Sequence, residues 1–305
     1  NYEMVEFSVI IPAYNVVKYV PLALKSLIEQ TYKDFEIICV EDCSTDKTLA
    51  MLQLFAKLEP RIKIIRNNTH LGPGTSRNIA LKMAKGKYIS CVDADDVVDK
   101  TFLEEAYQKL ETENVSSVWV KADIYWQEEK RVTKMNTFPK LRDLPEGKLK
   151  ISGKNICDFP AYSWYKFYKR ESIDDSIKWA DGHLFEDVEF YYRYYTQNPD
   201  VYVIDKSLYL YRRHSSSIMG RSIHDSAYQR DLFTIIHHIY LFLKEKNLFK
   251  KYKKAFLTFV KDSILDFEGY PDIKDALEKT VLETLDKIGY PQEYEDLAKK
   301  LPSLD

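Results

Sequence analysis

Cysteine is scarce: Cys39, Cys43, Cys91 and Cys157 are the only four in 305 residues. That is too few for a disulfide scaffold of this length, and only Cys39 and Cys43 lie close together. The ligand pairs of a zinc site are missing too. Cys39 and Cys91 fall inside apolar runs, where cysteine serves as a small hydrophobe, which suits a reducing compartment. No run reaches the ~18 apolar residues of a membrane span, and the chain does not open on a basic region followed by an apolar stretch. A cytoplasmic location is therefore expected, with Asn1–Glu3 ahead of Met4 set aside as a remnant. Net charge is nearly absent, since 45 Lys+Arg against 47 Asp+Glu leave −2. A field that weak does not hold a polyanion, so nucleic acid is not an expected partner. Internal repeats and low-complexity tracts are also lacking. What is present is ordinary globular material, enough for one large domain or two modest ones.

The first half repeats one rhythm. Strand-length apolar runs, Phe7–Ile11, Phe35–Val40, Ile62–Arg66 and Tyr88–Val92, alternate with stretches of helical spacing at Val17–Gln30, Thr45–Leu58 and Thr75–Lys85. Val20, Leu24, Leu27 and Ile28 share one face of the first helix, and Ile79, Ala80 and Met83 one face of the third. Alternation of this kind predicts an α/β fold with a mostly parallel sheet flanked by helices, and ligands beyond the carboxyl ends of the strands. A further strand is expected over Ser117–Tyr125, then an irregular stretch to Phe159. Past Asp225 the pattern is helical, with Leu232, Ile235, Ile236, Ile239 and Leu243 in register.

Polar loops follow all four early strands. Asp93-Ala94-Asp95-Asp96 puts three carboxylates into four residues, and their mutual repulsion favours a hard divalent cation. The same turn also reads as a solvated acidic turn before a helix capped by Asp99 or Thr101. In Glu41-Asp42-Cys43-Ser44-Thr45-Asp46, helix capping accounts for Ser44, Thr45 and Asp46 but not for Glu41 and Asp42. The segment Asn67–Asn78 brings Gly72, Pro73 and Gly74 ahead of a helix, where glycine permits close backbone approach to a ligand. No Gly-Lys-Ser/Thr follows, so it is not a Walker loop.

Taken in order, VIIPAYN (9–15), VEDCSTDKT (40–48), NTHLGPGTSRNIAL (68–81) and CVDADD (91–96) resemble the inverting glycosyltransferases of family 2, which have a GT-A fold. The match is close over 7–125 and looser to about 220. Family members usually carry Asp-Asp-Gly-Ser where this chain has Glu41-Asp42-Cys43-Ser44. The resemblance implies a nucleotide-diphosphate sugar donor, expected to be a UDP-sugar, and a Mn²⁺ or Mg²⁺ cofactor. By it, Pro12, Ala13, Tyr14, Asn15, Asp42, Gly72, Arg77, Asp93, Ala94, Asp95 and Arg212 bind the donor. Tyr14 lies against the base, Asp42 accepts its imino proton, Arg77 holds base or ribose, and Asp93 meets the ribose. Asp95 and Asp93 hold the metal, with His214 as a further ligand.

Inversion needs one base to take the acceptor's proton. The family commonly carries it in a Glu-Asp pair at a helix start, which implies Asp187 as base and Glu186 as its neighbour. Helix N-terminal acidity explains the same pair without catalysis. Trp164 and Lys166, in a stretch resembling the family's Trp-x-Lys-Leu-Tyr, are expected on the acceptor side. The expected organisation is a donor-binding half at 4–125, an acceptor-binding and catalytic half of the same domain at 126–224, and a helical C-terminal region at 225–305. The acceptor is expected to be a hydroxyl of a bacterial surface glycan or lipid-linked saccharide. Residues 241–254 carry a local excess of +5. They read either as a contact with the anionic inner membrane or as helices packed on the domain with lysines in water. A sugar nucleotidyltransferase and a degenerate sugar-nucleotide-binding module are the competing readings. The first needs a basic Gly-rich loop near the N-terminus to hold a triphosphate, which Pro12-Ala13-Tyr14-Asn15 does not offer, and intact Asp93, Asp95 and Asp187 argue against the second.

Overall fold

Phe7–Ala13 (β1), Phe35–Glu41 (β2), Ile62–Arg66 (β3) and Tyr88–Cys91 (β4) are parallel neighbours in the order β3-β2-β1-β4. In the computed structural model, which describes residues 5–215 and 226–265, β2 is buried at every position and β1 at all but one. This is why their sequences run apolar without alternation: helices cover both faces. Cys39 and Cys91 are fully buried, and burial pushes both thiols up to about 12.

The connecting helices are Val20–Ile28 (α1), Thr48–Leu58 (α2) and Pro73–Met83 (α3). Two starts differ from expectation for local reasons. Asp46 is not in the first turn of α2 but ahead of it, where its Oδ1 accepts the Thr48 N–H at 2.9 Å. Proline at the start of α3 supplies a pre-set φ and lacks the N–H that a first turn leaves unpaired. The expected apolar face of α3 is also corrected. Met83 is 58% exposed, and the buried face is Gly74, Ser76, Arg77 and Ala80. Small side chains let α3 lie close on β1 and β2, and they carry a buried arginine to the strand ends.

The chain continues through Val97–Val98 (β5), Phe102–Thr112 (α4), Ser117–Trp126 (β6), Arg131–Lys134 (β7), Pro139–Arg142 (α5) and Gly147–Lys150 (β8). Lys166–Lys169 (β9), Glu186–Tyr195 (α6), Asp200–Arg213 (β10), Ser226–Glu245 (α7) and Phe249–Leu265 (α8) follow among the described residues. One ten-stranded sheet results, its main path β3-β2-β1-β4-β9-β6-β10-β5, with β7 on β6 and β8 on β10. Among the described residues only β9, β5, β7 and β8 pair antiparallel with their neighbours.

Leu232, Ile235, Ile236, Ile239 and Leu243 are buried, as their spacing predicts. In 241–254, Phe242, Leu243 and Tyr252 face inward while Lys244, Lys250, Lys251, Lys253 and Lys254 are exposed. Among the described residues no helix is long and apolar enough to cross a membrane. The helical pattern expected beyond Leu265 and residues 216–225 lie outside the described residues.

Candidate active site

The carboxyl ends of β1, β2 and β4 and the start of α6 converge on one group of charged side chains. Asp93, Asp95 and Asp96 follow β4, and one ligand oxygen from each lies within 4.8 Å of the others. Asp96 is fully buried and has no oxygen to spare: Oδ2 accepts the Tyr209 hydroxyl at 2.6 Å and Oδ1 the Arg212 N–H at 2.9 Å. Burial, and then the charges of Asp95 and Asp93, hold its pKa well above the usual carboxylate range. Asp93 and Asp95 are each half committed. Asp93 Oδ1 takes Arg77 Nη2 at 3.0 Å, and Asp95 Oδ2 lies 2.9 Å from His214 Nε2. Each keeps one oxygen without a hydrogen-bond partner among the described residues, and the His214 ring nitrogen stands beside Asp95. An oxygen-rich, electron-dense set of this kind fits a hard divalent cation. Arg212 donates from Nε to the Asp95 carbonyl and from Nη1 to Gln127, and its guanidinium lies over Tyr19 and Tyr125. Tyr19 in turn stacks on His214 at 4.6 Å.

Arg77 joins this acidic turn to α6. It is 4% exposed, and its Nη1 reaches Glu186 Oε1 at 2.8 Å and Asp187 Oδ1 at 3.3 Å while Nη2 holds Asp93. Nε is buried without a hydrogen-bond partner among the described residues. The three carboxylates outweigh burial and keep the guanidinium charged. Gly74 makes the approach possible, because a Cβ there would lie 2.2 Å from the Ala180 carbonyl and 2.8 Å from Glu186 Cβ.

One arginine does not neutralise this many carboxylates. Burial, with Asp187 adding to it and Arg77 opposing, raises Glu186 to about 7. Asp93 rises to about 6, chiefly through burial against the pull of Arg77.

Asp187 is held from one side only. Its Oδ1 accepts the Ser163 hydroxyl at 2.7 Å, Trp179 Nε1 at 3.2 Å and Arg77 Nη1, while Oδ2 has no hydrogen-bond partner among the described residues. Ser163, Trp179, Tyr209 and Tyr19 are the supporting residues that sequence reasoning missed. No local pattern marks them, since each is brought in by tertiary contact. At Phe185, φ is +61°, so the chain enters α6 through a left-handed residue. Asp231 of α7 fixes that entry by accepting the Leu184 N–H at 2.9 Å and pairing with His183 Nδ1 at 3.0 Å.

At the β1 and β2 ends, Ala13 is buried, Tyr14 is 41% exposed, and Asn15 Oδ1 accepts the Thr45 N–H at 2.9 Å, tying the two loops together. Asp42, 2% exposed, takes Asn67 Nδ2 and the Leu71 N–H on Oδ1, and the Gly72 N–H on Oδ2, each at 2.8 Å. His70 Nδ1 lies 2.9 Å from Oδ2. Cys43 adopts φ +60°, the left-handed conformation that glycine takes at no steric cost.

Trp164 and Lys166 sit behind the cleft wall. Trp164 is 2% exposed and stacks on Tyr209 and Tyr211. Lys166 is fully buried, donates to the Pro160 and Tyr162 carbonyls, and is held well below the usual lysine range by burial. Both brace the loop that carries Ser163.

The family model for glycosyl transferase family 2 matches residues 8–177, more than half of the chain. The chain belongs to that family. It is a glycosyltransferase, and the nucleotidyltransferase reading falls away. Among relatives, glycosyltransferase GlyG of Streptococcus pneumoniae serotype 4 is 27% identical over 289 residues, 87% of this chain and 93% of that one. The poly(ribitol-phosphate) beta-N-acetylglucosaminyltransferase TarS of Staphylococcus aureus is 42% identical over 106 residues, 34% of this chain but 18% of TarS. The structure of S. aureus TarS 1–349 in complex with UDP-GlcNAc aligns with TM-score 0.65 and 23% identity over 96% of this chain and 89% of that one. A mannosyltransferase from Pyrobaculum calidifontis, solved with GDP-Man and Mn²⁺, aligns with TM-score 0.56 and 15% identity over 99% and 86%. These likenesses bear out the GT-A fold.

Proposed function

We propose that this glycosyltransferase moves a sugar, with inversion, from a UDP-sugar to a hydroxyl of a bacterial surface glycan or lipid-linked saccharide, using Mn²⁺ or Mg²⁺. The donor reading is supported by TarS, whose structures are described with UDP-GlcNAc and UDP, and the metal by the Mn²⁺ of the mannosyltransferase. In this reading residues 4–125 bind the donor, 126–224 bind the acceptor and complete catalysis, and the C-terminal region from 225 is a separate one, helical over Ser226–Glu245 and Phe249–Leu265 where it is described. The enzyme works in the cytoplasm, and 241–254 packs apolar side chains on the domain with its lysines outward, the peripheral contact with the inner membrane being the second reading of that segment.

Asp93 and Asp95, with His214 beside them, would hold the cation, which when bound neutralises charge on a departing diphosphate. Tyr14 offers the base an aromatic face and Asp42 an acceptor, with Pro12, Ala13, Asn15, Gly72 and Ala94 shaping the backbone around them. Arg212 steadies the Asp95 backbone. Arg77 keeps Asp93, on the donor side, in register with Glu186 and Asp187, on the acceptor side.

The observation that carries the reading is the asymmetry of Asp187. Three donors orient the carboxylate through Oδ1, and Oδ2 is left to accept a proton from an incoming hydroxyl. No second carboxyl need act as acid, because the diphosphate is already a good leaving group. A thermal-shift panel of UDP-, GDP- and dTDP-sugars with and without Mn²⁺ tests the donor. A UDP-sugar should stand out only with the metal present, and equal UDP affinity in EDTA and Mn²⁺ would overturn metal dependence.

A further inference from the structure

Asp42 accepts three N–H donors, two on Oδ1 and one on Oδ2, and His70 Nδ1 stands 2.9 Å from Oδ2 while its hydrogen bond runs to the Asp42 main-chain carbonyl at 3.4 Å. All three donors are fixed. The Leu71 and Gly72 amides belong to the loop backbone, and Asn67 is 5% exposed with its Nδ2 also 3.2 Å from Ser76 Oγ. The remaining neighbour of Oδ2 is the side chain of His70, which is 52% exposed. The same imidazole lies on Tyr14, with ring centroids 3.9 Å apart and planes inclined by 30°.

Both features that a nucleobase needs are thus engaged by one residue. A base stacked on Tyr14 and donating to Asp42 has to take each contact from His70. The imidazole fills the space such a base would fill, with a flat ring over the phenol and a ring nitrogen 2.9 Å from Oδ2. Everything else around Asp42 can stay in place, because the backbone donors and Asn67 do not cover Tyr14.

We infer that His70 is an internal occupant of the nucleobase position and sets what a base must bring to enter it, a planar face for Tyr14 together with an N–H for Asp42. The inference rests on the proposed placement of the base at Tyr14 and Asp42. Its consequence is that part of the donor's binding free energy offsets the contacts His70 gives up. Apparent affinity is lowered by the fraction of molecules in which the imidazole holds the site.

Calorimetry on the full chain with Mn²⁺ tests this, using UDP as the probe and inorganic pyrophosphate as a probe without a base. His70→Ala should bind UDP roughly three- to tenfold more tightly, the worth of one stacked and hydrogen-bonded ring, and leave pyrophosphate unchanged. His70→Phe, which keeps a ring on Tyr14 but has no N–H for Asp42, should fall between the parent and His70→Ala. Unchanged or weaker UDP binding by His70→Ala, with Tyr14→Ala weakening UDP, would overturn the inference alone. UDP binding indifferent to Tyr14→Ala, or absent from both the parent and His70→Ala, would remove the base site itself and this inference with it.

Discussion

Arg77 donates from Nη1 to Glu186 Oε1 at 2.8 Å, closing a gap of 109 residues between the helix after β3 and the start of α6. The pair is buried, and the same guanidinium holds Asp93 and Asp187. Arg77→Met should therefore cost about 3–5 kcal/mol, because it leaves several carboxylates without their cation. Arg77→Lys keeps the charge but not the planar fork, so it should lose less stability and still lose register between Asp93 and Asp187. Denaturant unfolding of both variants checks the order, and equal stability of Arg77→Met and the parent would count against the hub.

The acidic excess makes stability depend on pH in an unusual direction. Glu186 rises to about 7 and Asp93 to about 6 in the fold, above the ordinary carboxylate range that both take when unfolded. The folded state then binds more protons than the unfolded one between about pH 4 and 7. This contribution to stability is present below the unfolded values and is lost as pH rises through 6 and 7. Without added metal, the melting temperature should fall from pH 5.5 to 8. Glu186→Gln should flatten the slope, and a divalent cation should oppose it. A melting temperature that rises over that range in EDTA would contradict the assignment.

Asp231 reaches α6 from α7. Its carboxylate accepts the Leu184 N–H just ahead of Phe185, whose positive φ costs about 1–2 kcal/mol. Asp231→Ala removes that acceptor and the His183 partner together. The expected loss is about 1–3 kcal/mol, with faster amide exchange over 183–190. Asp231→Asn, which keeps an acceptor oxygen, should recover about half. Parental exchange in the alanine variant would show that α7 does not fix this entry.

Cys43 sits at φ +60° with only a 3.6 Å contact from Sγ to the Asn68 carbonyl. Cys43→Gly should leave stability within about 1 kcal/mol of the parent, since relief of the left-handed strain offsets added freedom in the unfolded chain. Cys43→Val should lose about 2 kcal/mol, because a β-branched residue tolerates that conformation poorly. Thermal melts of the two variants decide it, and equal melting points would show that the turn is not strained.

Much of this architecture was legible because β1 to β4 and their loops are local patterns. Apolar runs of strand length, and polar residues at each strand end, place Asp42, Asp93 and Asp95 on one edge without any tertiary knowledge. The buried face of α3 was not legible. Its spacing favours Ile79 and Met83, whereas contact with the sheet selects Gly74, Ser76 and Ala80 and buries Arg77 among carboxylates supplied from elsewhere. β10 was missed because Asp205 and Lys206 interrupt its alternation at a register shift between Val203 and Ser207. Ser163 and Trp179 carry no spacing signal at all, since their meaning comes from Asp187, 24 and 8 residues away.

Asp187 is where those long-range contacts bear on chemistry. Asp187→Asn keeps the shape, and its Oδ1 can still accept from Ser163, Trp179 and Arg77, but the group no longer takes a proton at neutral pH. Donor binding should stay within about threefold of the parent, while turnover falls by the roughly 10² to 10⁴ usual for loss of a general base. Glu186→Gln also keeps an acceptor for Arg77, and its effect should fall mainly on the acceptor KM, because binding lost equally in ground and transition states spares kcat. Calorimetry with UDP and Mn²⁺, alongside transfer rates at saturating acceptor, separates the two residues. Parental turnover in Asp187→Asn would reject it as the base, and near-abolished turnover in Glu186→Gln at saturating acceptor would move that role to Glu186. Loss of UDP binding in Asp187→Asn would instead put the residue on the donor side, reached through the guanidinium it shares with Asp93.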